Sequence, residues 1–255
     1  MDEIVLLEWS YTPSDYLEEA EVLNYKNVEI SISKGKIEAK VKADNFDENP
    51  NLRNELHIEI ESYFLGMQIF TNKPYELSKN PSMTRQYPNG RRDIYLSMEG
   101  GIIVSGSMQV NFIVKDKNGT IIKDSRKERI EKKREFAVLV AKHRPKNINV
   151  GKMVDSYNNA IRDQNNELVH LYEIRDTLQK IFSRGDIACK VLNLSKKAWR
   201  RLGSLANDEP LIQGRHRGQS VGVLRKATIA ELKEARSIGG GMIEAYLRYL
   251  EAQIN

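Results

Sequence analysis

Apolar residues recur at every second position around Val28–Val41 and at every third or fourth position beyond Pro145. A chain whose hydrophobic period changes in this way joins a strand-rich part to a helical part. In the first part Val28, Ile30 and Ile32 alternate with Glu29, Ser31 and Ser33. Lys34-Gly35-Lys36 then turns the chain, and Ile37, Ala39 and Val41 alternate with Glu38, Lys40 and Lys42. This is the pattern of a hairpin with one apolar face. Leu56, Ile58 and Ile60 against His57, Glu59 and Glu61 predict another half-buried strand, and Met67–Thr71 a further one. Near the amino terminus the sequence predicts a strand at Ile4–Trp9 and a short helix around Ser14–Val22. Residues 72–90 hold three prolines and several Asn and Ser, which predicts a long loop. Strand signals return at Ile94–Met98, Ile102–Ser105 and Val110–Val114. Asn118-Gly119, between Phe112-Ile113-Val114 and Thr120-Ile121-Ile122, is a strong hairpin signal. About seven or eight short strands with turns between them predict an antiparallel sandwich or a strongly curved sheet.

The segment Asp124–Ala141 is charged and then apolar, which suits either an edge strand or a linker helix. His143-Arg144-Pro145 ends it, because proline disfavours helix at the preceding residue. Met153, Tyr157, Ala160 and Ile161 then recur at helical spacing, as do Leu168, Leu171, Tyr172, Arg175, Leu178 and Phe182 in a long helix that Gly185 stops. Asp186 is placed to cap a short helix through Val191, and Ser195 a second through about Ala206. Thr228-x-x-Glu231 is a capping box opening a last helix from Ile229 to about Ala252. Gly239-Gly240-Gly241 lies in its middle. At roughly 1 kcal/mol per glycine, such a run predicts a kink or the close approach of another helix. It lacks the preceding strand and following Lys-Ser/Thr of a phosphate loop. The expected fold class is α+β: a mainly antiparallel β domain over 1–125, a charged connector over 126–149 and a basic helical domain over 150–255.

At 255 residues the chain is long enough for two domains. Its net charge of +5 is unevenly distributed: residues 1–125 carry 14 basic and 20 acidic side chains, whereas the remainder carries an excess of basic ones. The basic half suits a polyanion, DNA or RNA, or else an acidic protein surface, its own β domain included. No stretch reaches the ~18–20 apolar residues of a membrane span, and the acidic amino terminus does not read as a secretory signal. A single cysteine, Cys189, excludes an internal disulfide and fits the cytoplasm. Its apolar neighbours suggest a buried structural thiol. The four histidines, His57, His143, His170 and His216, have no metal-ligand spacing, so neither metal nor cofactor is expected. Nothing resembles a nucleophile elbow, and Tyr246 and Tyr249 read as packing residues.

Three local patterns point to nucleic acid. Residues 187–202 hold a short helix ending in Leu192-Asn193-Leu194-Ser195 and a second helix capped by that serine, with Asn193 suited to a left-handed turn. This resembles a helix-turn-helix, apart from the large Trp199 at an inward position. The resemblance implies that the start of the second helix contacts DNA, where Lys196, Lys197, Arg200 and Arg201 stand. Downstream, Arg215-His216-Arg217 puts an imidazole between two guanidiniums, close to Asp208 and Glu209. This is similar to the Arg/His motif of HEPN-family ribonucleases, helical proteins common in bacterial defence systems, although here the arginine and histidine are adjacent. The resemblance implies His216 as acid/base with Arg215 or Arg217 as phosphate clamp. The alternative is a structural loop in which Arg215 pairs with Asp208 or Glu209. Lastly, Glu38-x-Lys40 on a strand, with Glu29 on the preceding one, is similar to metal-dependent PD-(D/E)xK nucleases, but no Pro-Asp precedes it, and a solvated strand face accounts for it better. The reading that follows is a nucleic-acid-binding protein using Lys196, Lys197, Arg200, Arg201, Arg215, His216, Arg217, Arg225 and Lys226, with the β domain serving recognition, assembly or self-association. The alternatives are a protein–protein adaptor and a HEPN-like ribonuclease.

Overall fold

Residues 2–97, 113–115, 121–219 and 222–254 are described by a computed structural model. The chain divides into two units, Met1–Glu61 with Tyr75–Lys132 and Ser62–Pro74 with Lys133–Asn255. In the first, β1 (Ile4–Thr12), β2 (Glu21–Tyr25), β3 (Val28–Ser33) and β4 (Lys36–Lys42) lead into helices α1 (Ala43–Glu48) and α2 (Leu52–Thr71). After α2 come β5 (Glu76–Leu77), β6 (Ser82–Gln86), β7 (Arg92–Tyr95), β8 (Ile113–Lys115) and β9 (Ile121–Asp124). Strands β1–β7 form one antiparallel sheet of order β2-β3-β4-β1-β6-β7, with β5 paired to the end of β1. The fold class is therefore α+β: among the described residues, this seven-stranded antiparallel sheet and a two-stranded β8–β9 sheet are joined to a helical part.

The alternation read from sequence sets the faces of this sheet. Ile30, Ile32, Ile37 and Ala39 have no exposure, while Glu29, Ser31, Ser33 and Lys40 between them are exposed. Both hairpins use paired left-handed residues, Lys26-Asn27 (φ 45 and 65°) and Lys34-Gly35 (φ 46 and 83°), a geometry that matches the twist of the strands. Gly35 is required for a second reason, because a Cβ there would stand 3.1 Å from the Cβ of Ser14. The Asn118-Gly119 turn lies outside the described residues, but β8 and β9 on either side of it pair antiparallel as expected. Ile102–Ser105 and most of Val110–Val114 also lie outside them.

Four local expectations are corrected. Leu56–Ile60 and Met67–Thr71 are not strands but parts of α2. The short alternation there is compatible with either structure, and the longer spacing of Leu52, Leu56, Ile60 and Phe64, all buried, is helical. Residues 14–19 form turns and bends rather than a helix, and the chain then enters β2. The proline-rich stretch 72–90 contains β5 and β6, its prolines falling outside both. Asp186 lies in the first turn of its helix, not at the cap.

The choice left open at Asp124–Ala141 falls to helix α3 (Ser125–His143). Asp124 accepts the backbone N–H groups of Arg126 and Lys127 at 3.0 and 3.1 Å. The basic start of α3 pairs with acids of the first unit: Arg129 with Glu18 at 2.5 Å and Arg126 with Glu19 at 3.2 Å.

The second unit is helical. It takes in the end of α2, most of α3, and α4 (Ile148–Arg162), α5 (Glu167–Ile181), α6 (Gly185–Val191), α7 (Lys196–Gly203) and α8 (Ile229–Ile254). A wide turn, Ser204–Asp208, continues α7. The end of α2 crosses α3 closely: a Cβ on Gly66 would stand 2.7 Å from Ala137 Cα, and Phe70 meets Phe136 edge-on at 5.0 Å. The glycine run of α8 is an uninterrupted helix serving close approach. Cβ atoms on Gly239 and Gly240 would stand 3.2 Å from Leu171 Cδ2 and 3.0 Å from Ile69 Cγ2, whereas Gly241 faces open space. Beside them Arg236 clamps the fully buried carboxylate of Glu167 through two hydrogen bonds of 2.6 and 2.7 Å. Tyr157, also buried, donates its hydroxyl to Asn72 Oδ1 at 2.7 Å, and burial pushes the phenol well above its ordinary value. Tyr246 and Tyr249 pack with Phe182. Among the described residues no helix is long and apolar enough to cross a membrane.

Two consequences can be measured by denaturant unfolding. Gly66→Ala should lose about 1–2 kcal/mol, the clash with backbone outweighing the helix-propensity gain, while Gly241→Ala should gain up to ~1 kcal/mol. Arg236→Met should cost about 3–5 kcal/mol, since it leaves a buried carboxylate unpaired.

Candidate nucleic-acid interface

The turn between α6 and α7 is built from the residues that suggested it. Asn193 adopts φ 52°, and the N–H of Leu194 closes the end of α6 on the carbonyl of Cys189 at 2.9 Å. Ser195 is extended, and its Oγ accepts the N–H of Ala198 at 3.3 Å, capping α7. Trp199, Leu202 and Gly203 turn inward, leaving Lys196, Lys197 and Arg200 exposed. The inward tryptophan is accommodated by Gly185, where a Cβ would come within 2.8 Å of the indole. Cys189 is buried, which raises its thiol and makes it a poor nucleophile.

The nine candidate residues separate into two groups. Four are held within the fold. Arg201 bonds Glu209 and Glu234 at 2.5 and 3.0 Å, and Arg225 bonds Glu209 and Glu231 at 2.8 and 2.7 Å. The result is a chain of alternating charges, Glu234–Arg201–Glu209–Arg225–Glu231, that ties the turn after α7 to the start of α8. Arg217 donates to the carbonyl of Ile212 at 2.9 Å and to the side chain of Asn166. Arg215 stacks over Tyr172 at 4.3 Å and pairs with Asp176 at 3.4 Å. Its carboxylate is thus neither Asp208 nor Glu209; Glu209 is taken by the other two arginines. The remaining five, Lys196, Lys197, Arg200, His216 and Lys226, are exposed, and among the described residues none has an acidic partner.

Sequence reading missed the partners of Arg215. Arg175 on α5 stacks over Tyr172 and Trp199, at 4.8 and 5.2 Å, and fits because Gly203 has no side chain: a Cβ there would stand 2.6 Å from Nη1 of Arg175. Two guanidiniums thus share the Tyr172 ring. Burial pushes the Asp176 carboxyl up, although Arg215 and Arg175 pull it down. No sequence signal joins Tyr172, Arg175 and Asp176 to a loop some forty positions away. Also unforeseen is a groove of about 630 Å³ between α7 and α8, into which Lys197, Ala198, Arg200 and Ser204 face Ser237 and Ile238.

On the sheet, Glu38 stands opposite Glu8 and Ser31, and Lys40 opposite Leu6 and Glu29. Among the described residues no group of three or more His, Cys, Asp or Glu could hold a metal ion. Comparison of the chain with protein-family models, with curated proteins and with solved structures finds no match.

The start of α8 carries a pH dependence. Glu231 accepts from Arg225 and from the N–H of Thr228, and these bonds hold its carboxyl down at about 2, against 4.5 for a free glutamate. A lowered folded-state value means that the contribution is complete above about 4.5 and is lost as pH falls toward 2. Protection of the first-turn amides of α8 against hydrogen exchange, taken relative to the intrinsic rate at each pH, should therefore fall over that acidic window, and Glu231→Gln should remove the pH-dependent part.

Proposed function

We propose that the helical unit binds nucleic acid through the α6–α7 surface, with the sheet unit serving recognition or assembly. The observation that carries this reading is the contrast between the cations. Arg201, Arg215 and Arg225 are matched by carboxylates of the same unit, whereas Lys196, Lys197 and Arg200 on one short helix are exposed without them. Unmatched cations grouped on a rigid helix are suited to phosphates, whose neutralisation releases counterions and makes binding salt-dependent.

Binding of fluorescent duplex DNA and single-stranded RNA across a salt series tests this. The full chain should bind at least one of them with a steep negative salt slope. Lys196→Glu/Arg200→Glu should weaken binding by at least about tenfold and lower the slope by about 1 for each lost phosphate contact. Arg225→Glu should instead lower the melting temperature. Absence of binding to either probe at ~100 mM salt would turn the reading toward an adaptor that docks an acidic protein.

Ribonuclease action at the Arg215–His216 loop is the second reading. In its favour, Tyr172 and Asp176 fix Arg215 next in the chain to the exposed His216, and since Asp176 engages only Nη1 of the guanidinium, the other N–H groups are left to clamp an anion beside an acid/base. His216→Ala should then abolish RNA cleavage and leave binding intact. Cleavage unchanged in that variant would remove this reading.

A further inference from the structure

We propose that the groove between α7 and α8 seats one nucleotide of a single-stranded nucleic acid. The proposal rests on the nucleic-acid reading above and narrows its ligand. The groove, about 630 Å³, lies within the range of small-molecule pockets, roughly 300–1,000 Å³, and is of nucleotide size.

Its charge suits a phosphodiester. Lys197 and Arg200 line it, and among the described residues neither has an acidic partner. Glu234, the carboxylate at its edge, is already bonded to Arg201 at 3.0 Å, so its charge is offset before any ligand arrives. Ala198 and Ile238 provide small apolar surface for the flat face of a base. The hydroxyls of Ser204 and Ser237 also line the groove and are able to donate to or accept from base edges or sugar.

The shape decides between duplex and single strand. A helix that reads a duplex must project into a major groove about 12 Å wide. Here Lys197 and Arg200, both exposed, line an open groove beside α7, so a ligand that uses its floor as well as its rim must lay a group into it. A single strand is able to do this, because its backbone bends and its bases are unstacked and free to be splayed out.

The test uses the full chain with a short fluorescent single-stranded RNA, the corresponding DNA strand and its duplex. A single strand should bind about tenfold or more tighter than the duplex. Ile238→Trp and Ser237→Phe, which fill the groove without altering charge, should each weaken single-strand binding about tenfold while the melting temperature stays close to that of the parent. If the filled variants fold and bind as the parent does, the groove is overturned while the surface reading stands. Equal or tighter binding of duplex overturns it likewise, as does a poly-glutamate peptide that binds as tightly as the RNA. Failure of the parent chain to bind any of the nucleic acids overturns both readings. Photocrosslinking of thiouridine-containing RNA to the parent chain needs no variant: adducts on peptides containing Ala198 or Ile238 support the seat, and adducts confined elsewhere overturn it.

Discussion

The side chain of Glu167 has no exposure to solvent, and the two hydrogen bonds from Arg236 make its charge tolerable there. A carboxylate in such a place requires its partner in one position, so the pair fixes both the register and the rotation of α8 against α5. The glycines three and four residues beyond Arg236 extend the constraint, since Gly239 and Gly240 let the helix approach side chains that any larger residue would meet. At the far end Glu251 bonds Lys142 at 2.7 Å and contacts the buried His143, fastening α8 to α3. The groove beside α7 takes its other wall from α8, whose placement these contacts help to hold.

The same unit sorts its positive charges. Paired arginines build structure: Arg201 and Arg225 share Glu209, and each takes a second carboxylate from the start of α8. Arg175 rests on the faces of Tyr172 and Trp199, and Arg215 on Tyr172 with Asp176 as its carboxylate. Of the candidate cations left without a carboxylate partner among the described residues, Lys196, Lys197 and Arg200 lie together on the first turns of α7, where the Ser195 cap fixes the helix and the inward Trp199 fixes its rotation. A net charge computed along the sequence counts both kinds alike; only pairing tells which remain available to a partner.

The first unit follows a simpler rule. Its sheet is specified by alternation on β3 and β4 and by two turns whose residues accept left-handed backbone. Glu8 directly faces Glu38 across two strands on the less buried side, a like-charge pair that a sheet tolerates only where water screens it.

Local chemistry was legible in the sequence wherever it acts over a few residues. The Lys34-Gly35 turn, the Ser195 cap, the left-handed Asn193 and the Thr228–Glu231 box each depend on bonds between near neighbours, and each is present. The division into a sheet part and a helical part was legible for the same reason, because hydrophobic period is a local property. Leu56–Ile60 was misread because five residues of alternation serve a strand and a helix equally, and only the continuation to Phe64 and beyond distinguishes them. The candidate site was legible as a list of basic residues but not as a site. Which of them are neutralised, which ring Arg215 rests on, and which residues of α8 face α7 all depend on contacts between segments far apart in the chain. The sequence by itself determined caps, turns and faces; the tertiary structure alone decided which charges remain free, because pairing is set by distance in space.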